Sequence, residues 1–582
     1  MNPMSNAPAI VVLGRSALDT ARRLQAGLPQ ATVHGLAARV GNDADVRFTQ
    51  LGEHLQALYA AGTPIVALCA AGIVIRCVAP MLNNKGTEPP VLAVAEDGSA
   101  VVPLLGGLAG VNVLARQIAR TLGVAPAITT SGELRFGTCL LNPPDGYVLA
   151  DLTQSKHFVS DLLAGETVRI EGDAPWLDDC DLPQADTATR TIHVTPFVDE
   201  GHRDALVIHP RSVLAAITRT GENQATQVRD MLAAQGLSAH ALAVVVAPRA
   251  LMGNVHLQTT ADALGVPLRF AAFGELADVA SPQMSDWLTD WLTTTLGNGI
   301  DIRQGEHGIT LARTAAPIDP ATVGQPRGTL SVIGLGPGDA ALRVPQASAA
   351  LSAATDILGY ATYVAMAGPF RDDQTLHETD NREELMRARH AFALASAGKQ
   401  VVVVSSGDPG VFAMASAVFE ALDGSDDPAW RTVDLRIVPG ISAAMATAAQ
   451  AGAPLGHDFC VLSLSDNLKP WRVICERLQH AAQADLVMAF YNPISRARPW
   501  QLGEALDIVR QWRAPQTRVV LGRDIGRPGA TLTTTTLGEL RPEQVDMRTM
   551  VIIGSSTTRG IDGGPHGEWI YTPRWYGEAP GR

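Results

Sequence analysis

TLSVIGLGPGD, residues 329–339, joins an apolar run to a glycine-rich turn. The run predicts a buried strand, and the turn precedes a helical stretch. In α/β folds such a unit places a ligand at the carboxyl end of the strand. The spacing differs from the dinucleotide fingerprint because Gly338 comes one residue early. Pro337 also lacks an N–H donor, and Asp339 would repel a phosphate, so a dinucleotide-dependent oxidoreductase is disfavoured.

Two further loops follow predicted strands in the same way. Strand 400–404 leads into SSGDPGV at 405–411, and strand 434–438 leads into PGISAA at 439–444. Carboxylates at strand ends suit a ligand with cationic groups and hydroxyls, such as the sulfonium, ammonium and ribose diol of S-adenosylmethionine. The alternative is that Asp339 and Asp408 only cap turns. The small residues after the third loop permit close approach by a flat ligand or by another helix.

The rest of the chain also favours α/β architecture. It has 582 residues, of which 46% are hydrophobic and 5% aromatic. A strand at 9–13, a helix starting at Ser16 as N-cap, a helix at 51–61 and a buried strand at 64–69 alternate near the start. Such alternation is typical of parallel sheets flanked by helices.

Composition changes divide the chain into segments. Residues 136–203 are rich in Asp, Pro and Thr and predict an irregular insert. Regular alternation returns with a strand at 205–208, a helix from about Ser212 and a strand at 241–246. We predict an N-terminal α/β domain at 1–135, the insert at 136–203 and a second α/β domain at 204–313. A Pro- and Gly-rich linker at 314–327 then leads to a C-terminal module at 328–582, with subdomains at 328–450 and 451–582.

Charge and cysteine usage exclude several classes of protein. The net charge is −13, so a nucleic acid is disfavoured as the main partner. None of the six cysteines forms a C-x-x-C pair, which favours free thiols and predicts no metal site. The first residues lack a basic signal-peptide region, and the apolar stretch 65–80 contains Arg76 and is short for a membrane span. These features predict a cytoplasmic protein without a membrane partner.

The C-terminal motifs resemble those of the tetrapyrrole methyltransferases. The carrying stretches are 334–339, 407–411, 438–444, 490–493 and 550–559. Within that family the sequences at 489–493, 522–529, 546–556 and 571–574 are most similar to the C(17)-methyltransferases of precorrin-3B. The resemblance implies N-terminal α/β domains followed by the two-domain α/β tetrapyrrole methyltransferase fold. It also implies methylation of precorrin-3B at C-17 by S-adenosylmethionine, with ring contraction to precorrin-4 in cobalamin biosynthesis.

The same resemblance implies a set of site residues and a homodimer. The methyl-donor site would be lined by Pro337, Ser406, Gly407, Asp408, Val411, Ser442, Ala443, Asn492 and the region near Thr535. The candidates for proton transfer are Asp408, His457, Tyr491 and Asp524, although His457 also fits a loop-filling role and Tyr491 a stacking role. Substrate carboxylates would be bound by arginines, with Arg496, Arg523 and Arg527 as candidates and Arg498 and Arg559 beside the motifs. A corrin-intermediate-binding protein without methylase activity remains the alternative.

The N-terminal half resembles the cobalt-precorrin-5A hydrolase family. The resemblance rests on GIVIR at 72–76, PVLAV at 90–94, EDG at 96–98 and VPLLGG at 102–107. The family pattern has a histidine after the glycine pair, where this chain has Leu108 and Ala109. Loss of that histidine removes a proton-transfer group. Three interpretations stay open: lactone hydrolysis, binding of a corrin intermediate, and a structural role beside the methylase.

Overall fold

The computed structural model describes residues 7–28, 31–82, 88–199, 204–272, 284–380, 383–564 and 566–575. The chain divides into two compact units. The first runs to Arg327 and includes 396–398 and 431–433, and the second comprises the other residues from Gly328 onward. Sheets flanked by helices build both units, which confirms the predicted α/β class.

The first unit begins with a six-stranded sheet. Its order is β3-β2-β1-β4-β5-β6, parallel except for β6. The strands are β1 (Ala9–Val12), β2 (Thr32–Leu36), β3 (Val46–Phe48), β4 (Ile65–Leu68), β5 (Val91–Val94) and β6 (Val101–Leu105). Its helices are α1 (Leu18–Gly27), α2 (Ala37–Val40), α3 (Leu51–Ala60), α4 (Ala71–Val78), α5 (Val111–Leu122) and α6 (Ser131–Phe136).

The predicted start of α1 was wrong by two residues. A short 3-10 turn occupies Arg15–Ala17, and α1 begins at Leu18. The Ser16 hydroxyl donates to Glu96 Oε2 at 2.9 Å instead of capping the helix. The Ser16 side chain therefore bonds to a residue distant in sequence, although the local sequence predicts that it caps the helix.

The segment predicted as an irregular insert forms a regular four-stranded sheet. Its order is β7-β10-β9-β8. The elements are β7 (Tyr147–Leu149), α7 (Leu152–Leu163), β8 (Val168–Glu171), α8 (Pro175–Asp178), β9 (Arg190–Val194) and β10 (Ala205–Pro210). The fully buried Phe158, Leu162 and Ile192 belong to its core. The Asp- and Pro-rich stretches that suggested irregularity lie largely in the turns, so composition hid short elements.

A third sheet completes the first unit, with the order β13-β12-β11-β15-β14. The helix predicted from Ser212 was wrong, because Val213–Ile217 is a central strand whose five residues are all buried. A short apolar run fits a buried strand and a buried helix equally well. The elements are β11 (Val213–Ile217), α9 (Gln224–Ala234), β12 (Leu242–Pro248), α10 (Val255–Leu264), β13 (Leu268–Ala271), α11 (Met284–Leu296), β14 (Asp301–Gln304) and β15 (Ile309–Arg313).

Two histidines, the buried His34 on β2 and the half-buried His54 on α3, contact each other. His34 Nδ1 is 2.9 Å from His54 Nε2, and His34 Nε2 is 2.8 Å from Thr32 Oγ1. The Phe48 ring stacks on His54 at 4.5 Å between centroids. Burial first, and then the neighbouring His54, lower the pKa of His34 to about 4 against the opposing effect of Asp45.

This pair predicts a loss of stability in acid. Between pH 6.5 and about 4 the unfolded chain binds a proton at His34 that the folded chain excludes. The free energy of unfolding therefore decreases as the pH is lowered through this window, by a total of about 3 kcal/mol. Exchange of the His34 Cε1 hydrogen, followed by mass spectrometry, should give a midpoint near 4. His34→Gln should flatten the acid limb of unfolding, whereas His157→Gln, at an exposed position on α7, should leave it unchanged. A His34 midpoint near 6.5 would contradict the expectation.

The second unit begins with an all-parallel five-stranded sheet. Its order is β18-β17-β19-β16-β20. The strands are β16 (Thr329–Gly334), β17 (Asp356–Tyr360), β18 (Thr375–Thr379), β19 (Gln400–Ser405) and β20 (Asp434–Val438). Of these, β16, β19 and β20 agree with the strands predicted before the three loops. The helices are α12 (Pro345–Ala353), α13 (Ala361–Ala367), α14 (Glu384–Ser396), α15 (Met414–Asp423) and α16 (Pro428–Thr432).

A mixed sheet and a small three-stranded sheet complete the second unit. Their orders are β22-β23-β26-β24-β25 and β21-β28-β27. The strands are β21 (Gly452–Ala453), β22 (Phe459–Ser463), β23 (Val487–Tyr491), β24 (Arg518–Arg523), β25 (Thr531–Thr536), β26 (Thr549–Ile553), β27 (Arg559–Asp562) and β28 (Glu568–Tyr571). The helices are α17 (Ala443–Ala451), α18 (Trp471–Gln483) and α19 (Gln501–Arg510).

The described residues contain few features of a membrane or metal protein. None of their helices is long and apolar enough to cross a bilayer. Within the same ranges, no cluster of three or more His, Cys, Asp or Glu side chains has the arrangement of a metal site. All six cysteines are free thiols.

Candidate functional site

Three loops of the second unit meet at one edge of its parallel sheet. The first loop (334–339) follows β16, the second (405–411) follows β19 and the third (438–442) follows β20. Because β19 and β20 flank β16 in parallel register, their carboxyl ends lie side by side. The parallel order of these strands therefore places all three loops at the carboxyl end of the sheet, where α/β folds bind ligands.

Backbone hydrogen bonds join the first two loops. Gly336 donates to the carbonyl of Gly407 at 3.2 Å, and Gly407 donates back at 2.8 Å. Leu335 donates to the carbonyl of Ser405 at 2.8 Å. Gly336 and Gly407 both have positive φ, of 72° and 69°, a conformation that glycine adopts without steric cost.

The two loop aspartates both accept backbone hydrogen bonds. Asp408 accepts from Gly410 at Oδ1 (2.8 Å) and from Gly440 at Oδ2 (3.0 Å), so its carboxylate ties the second loop to the third. Asp339 is exposed and accepts from Ala341 at 2.8 Å. Both aspartates therefore make the turn-capping contacts that the alternative interpretation of the sequence predicts.

Glycines allow the loops to approach closely. A Cβ atom at Gly440 would lie 2.2 Å from the Gly407 carbonyl oxygen, and one at Gly334 would lie 2.4 Å from the same oxygen. These neighbours are backbone atoms, so no side chain can turn away to make room. Only glycine fits at either position without moving a loop.

Arg527 reaches these loops from the second half of the unit. Its Nε donates to the carbonyl of Pro337 at 3.0 Å, and its Nη2 donates to Ser406 Oγ at 3.0 Å. Gly526 beside it has positive φ, and a Cβ there would approach Pro337 to 2.7 Å. The guanidinium thus bridges the first and second loops.

The third loop leads into α17, whose first turn contacts the side chain of Tyr491 from β23. Ser442 is the N-cap of this helix, and its Oγ accepts from Met445 at 3.4 Å. The phenol oxygen of Tyr491 accepts from the backbone N–H of Ala444 at 3.1 Å. The phenol proton of Tyr491 has no acceptor within the described ranges. Tyr491 therefore retains a donor beside the loops.

Asn492 and Asp524 lie at one edge of the mixed sheet. Asn492 follows β23 with φ of 50° and donates to Ser463 Oγ at 3.1 Å. Asp524 follows β24 with φ of 51°. The carboxyl ends of β23 and β24 share one edge because β26 pairs antiparallel with both strands.

An ion-pair network surrounds Asp524. Its Oδ2 lies 3.2 Å from Arg523 Nη1 and 3.3 Å from Arg548 Nη1. Arg523 Nε also donates to Asp546 at 2.8 Å. Burial opposes ionisation of Asp546, but hydrogen bonds from Arg523 and Thr549 outweigh it and lower the pKa of that carboxyl. The Arg523 guanidinium is therefore already engaged by carboxylates of the chain.

The structure separates two of the predicted residues from this edge. His457 precedes β22, at the opposite end of that strand from Ser463 and Tyr491, and its Nδ1 accepts from the Asp458 N–H at 2.7 Å. Thr535 lies on the edge strand β25 opposite Val519, at the end of β24 away from Arg523.

The remaining arginines differ in their contacts. Arg496 is exposed and has no ion-pair partner in the part of the chain that the structure describes. Arg498 is buried and donates to the carbonyls of Leu464 and Asn492, each at 3.3 Å. Arg559 is exposed on β27. Arg496 is thus the candidate whose guanidinium is free for a ligand.

Sequence reasoning did not single out Phe412, Lys469 or Gly440. Phe412 follows the second loop directly and is 52% exposed. Its position after a glycine-rich turn could have indicated a ligand contact, because no predicted helix or strand there would bury an aromatic side chain in a core. Gly440 stood within a quoted motif, but its close contact with the second loop depends on the register of β16, β19 and β20.

The loops suit a cationic ligand better than a phosphate. The N–H groups of Gly336, Gly407 and Gly440 already have intramolecular acceptors, and Pro337 has no N–H. A phosphate site needs free backbone donors. The loops offer instead small side chains together with hydroxyl and carbonyl oxygens, and these oxygens can accept hydrogen bonds from ammonium and ribose hydroxyl groups.

Two families match parts of the chain. Residues 329–541 match the Tetrapyrrole (Corrin/Porphyrin) Methylases. Residues 53–133 match the family described as Cobalamin synthesis G N-terminal. The first match covers all three loops, and the second covers the glycine pair that precedes Leu108.

Curated relatives align with the second unit. A precorrin-3B C(17)-methyltransferase of Sinorhizobium sp is 50% identical over 253 residues, which are 43% of this chain and 98% of that protein. A probable cobalt-factor III C(17)-methyltransferase of Salmonella typhimurium is 41% identical over 42% of this chain and 99% of its own length. The cobalamin biosynthesis protein CobIJ of Mycobacterium tuberculosis is 46% identical over 43% of this chain and 49% of its length. The crystal structure of the methyltransferase CobJ is similar at 50% identity and a TM-score of 0.40, covering 42% of this chain and 100% of the other.

Proposed function

Because the chain belongs to the family of tetrapyrrole (corrin/porphyrin) methylases, we propose that its second unit methylates precorrin-3B at C-17. Ring contraction to precorrin-4 accompanies the transfer, and the methyl donor is S-adenosylmethionine. One observation carries the proposal: half of the aligned residues are identical over 98% of a precorrin-3B C(17)-methyltransferase. The chain is then a fusion of this methylase with an N-terminal region of the cobalamin synthesis G type.

The three loops hold the donor in this proposal. The donor-binding residues are Pro337, Ser406, Gly407, Asp408, Val411, Ser442, Ala443 and Asn492, with Thr535 as the outlying member. Support comes from the acceptors on the loops and from the backbone N–H groups of Gly336, Gly407 and Gly440, which already have intramolecular acceptors and are not available to a phosphate. Arg527 and Asp408 act by fixing the loops to one another.

The transfer itself needs alignment and one proton acceptor. The sulfur–methyl bond breaks as the bond from the methyl carbon to C-17 forms, and S-adenosylhomocysteine leaves as a neutral thioether. Tyr491 is our first choice as a proton donor during the rearrangement, because its phenol proton is free while its oxygen is fixed by Ala444, and the proton that the macrocycle loses passes to solvent. The Asp408 and Asp524 carboxylates are engaged by the chain itself and serve as positioning groups.

Substrate carboxylates need cations in a chain of net charge −13. We assign this role first to Arg496, which is exposed and free among the described residues. Arg523 would bind a substrate carboxylate while it stays paired with Asp546. Arg527 would support substrate binding indirectly, by holding the first and second loops together. Arginine suits this task because its planar fork matches a carboxylate.

For the N-terminal unit we propose binding of a tetrapyrrole without hydrolysis. The family match over 53–133 supports a corrin-pathway role. The turn Gly107–Ala109 lies between Gly106 and Gly110, both at positive φ, and it carries Leu108 where the hydrolase pattern has a histidine. Release of acetaldehyde from a lactone-bearing cobalt-precorrin-5A would instead support a bifunctional methylase and hydrolase.

Product mass tests the proposal. The full chain is incubated with S-adenosylmethionine and precorrin-3B, and in parallel with cobalt-factor III, because relatives of both names align with the same unit. We expect precorrin-3B to gain the mass of one methyl in place of hydrogen, with one equivalent of S-adenosylhomocysteine. Tight binding of precorrin-3B without mass gain would overturn the methylase proposal in favour of the binding protein.

A further inference from the structure

Phe412 is an exposed aromatic residue in an unfavourable backbone conformation. It has φ of 53°, in the left-handed region that bulky side chains rarely occupy. Its side chain is not part of the core, because the residue is 52% exposed. Core packing therefore does not explain why a phenylalanine occupies this position. Strained residues of this kind cluster at ligand sites, where the surroundings hold them in place.

Two side chains from the second half of the unit surround the Phe412 ring. The Tyr491 ring lies 5.5 Å away between centroids, inclined by 62°. The ammonium nitrogen of Lys469 lies 5.7 Å from the Phe412 centroid, within cation–π range. Phe412, Tyr491 and Lys469 thus form an aromatic cluster that carries one cation.

This cluster adjoins the proposed donor site on two sides. Phe412 comes directly after Val411, the last residue of the second loop. Tyr491 accepts a hydrogen bond from Ala444 at the start of α17, directly after the third loop. A ligand that packs on Phe412 would therefore lie next to a donor held by these loops.

We propose that Phe412 and Lys469 form the contact surface for the substrate macrocycle, an inference that rests on the proposed function. The aromatic ring packs against the flat, unsaturated macrocycle, and the ammonium group binds one of its peripheral carboxylates. An aromatic face adds affinity for a π-system beyond the buried area. A single cation at its edge then fixes the rotation of the macrocycle relative to the methyl donor.

Equilibrium binding tests this inference separately from catalysis. Precorrin-3B is titrated into the full chain and followed by its absorbance, while the affinity for S-adenosylmethionine is measured by calorimetry. Phe412→Leu should weaken precorrin-3B binding about tenfold, the scale of one lost aromatic stack, and leave donor affinity unchanged. Lys469→Gln should weaken it about fivefold and reduce its salt dependence.

Phe419→Leu is the matched control, because Phe419 lies on α15 of the same unit and is 51% exposed. We expect this variant to bind precorrin-3B like the unmodified chain. Equal affinities of Phe412→Leu and Phe419→Leu would overturn the inference, even if the chain methylates its substrate. Conversely, failure of methyl transfer with a tenfold loss of binding in Phe412→Leu would overturn the proposed function and keep the contact surface.

Discussion

Replacing Gly440 with alanine is expected to abolish useful binding of S-adenosylmethionine. The new Cβ would lie 2.2 Å from the Gly407 carbonyl oxygen and 2.9 Å from the Gly334 Cα atom. Every close neighbour is backbone, so the third loop must move away from the other two. Overpacking costs about 1–3 kcal/mol even where side chains can adjust, so we expect donor affinity to fall by about 100-fold.

Calorimetric titration of the donor measures this effect. Gly503→Ala is the control, because its Cβ on α19 would meet no atom nearer than 4.0 Å and alanine favours a helix. Thermal unfolding should show that both variants fold. If Gly440→Ala bound the donor as tightly as Gly503→Ala, the three loops would not be the donor site.

Asp408→Ala is expected to cause the second largest loss. It removes the acceptor that joins the second loop to the third, at Gly440, and the acceptor within the second loop, at Gly410, so both N–H groups lose their partners. The bond that joins the loops is made to a charged group and contributes about 1.5–3 kcal/mol, so we expect donor affinity to fall by about 50-fold. The corresponding loss in kcat/KM would follow from misplacement of the donor.

Asp408→Asn distinguishes positioning from proton transfer. The asparagine oxygen can still accept one of the two hydrogen bonds, so a positioning role predicts kcat within about tenfold of the unmodified chain. A proton-transfer role predicts losses as large as those of Asp408→Ala, together with a changed pH profile. Asp339→Ala is the matched control, since it removes one exposed turn contact, at Ala341, from the first loop. An effect of Asp339→Ala equal to that of Asp408→Ala would contradict the special role of Asp408.

Local sequence was sufficient for the loops and their strands. Apolar runs before glycine-rich turns predicted β16 and β19, because parallel strands buried on both faces are continuously hydrophobic. The predicted strand β20 is an edge strand and carries the polar Asp434 and Arg436. The two-part family resemblance read from the motifs is likewise confirmed. Local patterns failed where short elements alternate with polar turns, as between Tyr147 and Val194, and where Val213–Ile217 fitted two periodicities.

The partners of the site residues were beyond local prediction. Arg527 and Pro337 are 190 positions apart, and only the folded second unit brings them to 3.0 Å. The same holds for the phenol of Tyr491, whose position beside Ala444 depends on the packing of α17 against the second sheet. The motifs therefore predicted the three loops and their strands, whereas the hydrogen bonds and ion pairs of Arg523 and Arg527 depend on tertiary structure.

Transfer of a labelled methyl group is the most direct test of the central claim. The full chain is given S-adenosylmethionine carrying a ¹³C methyl, together with precorrin-3B, and the product is examined by NMR. The account predicts one labelled methyl, attached at C-17, with loss of this signal in Gly440→Ala and retention in Gly503→Ala. Label at another macrocycle position, or no label with the unmodified chain, would contradict it.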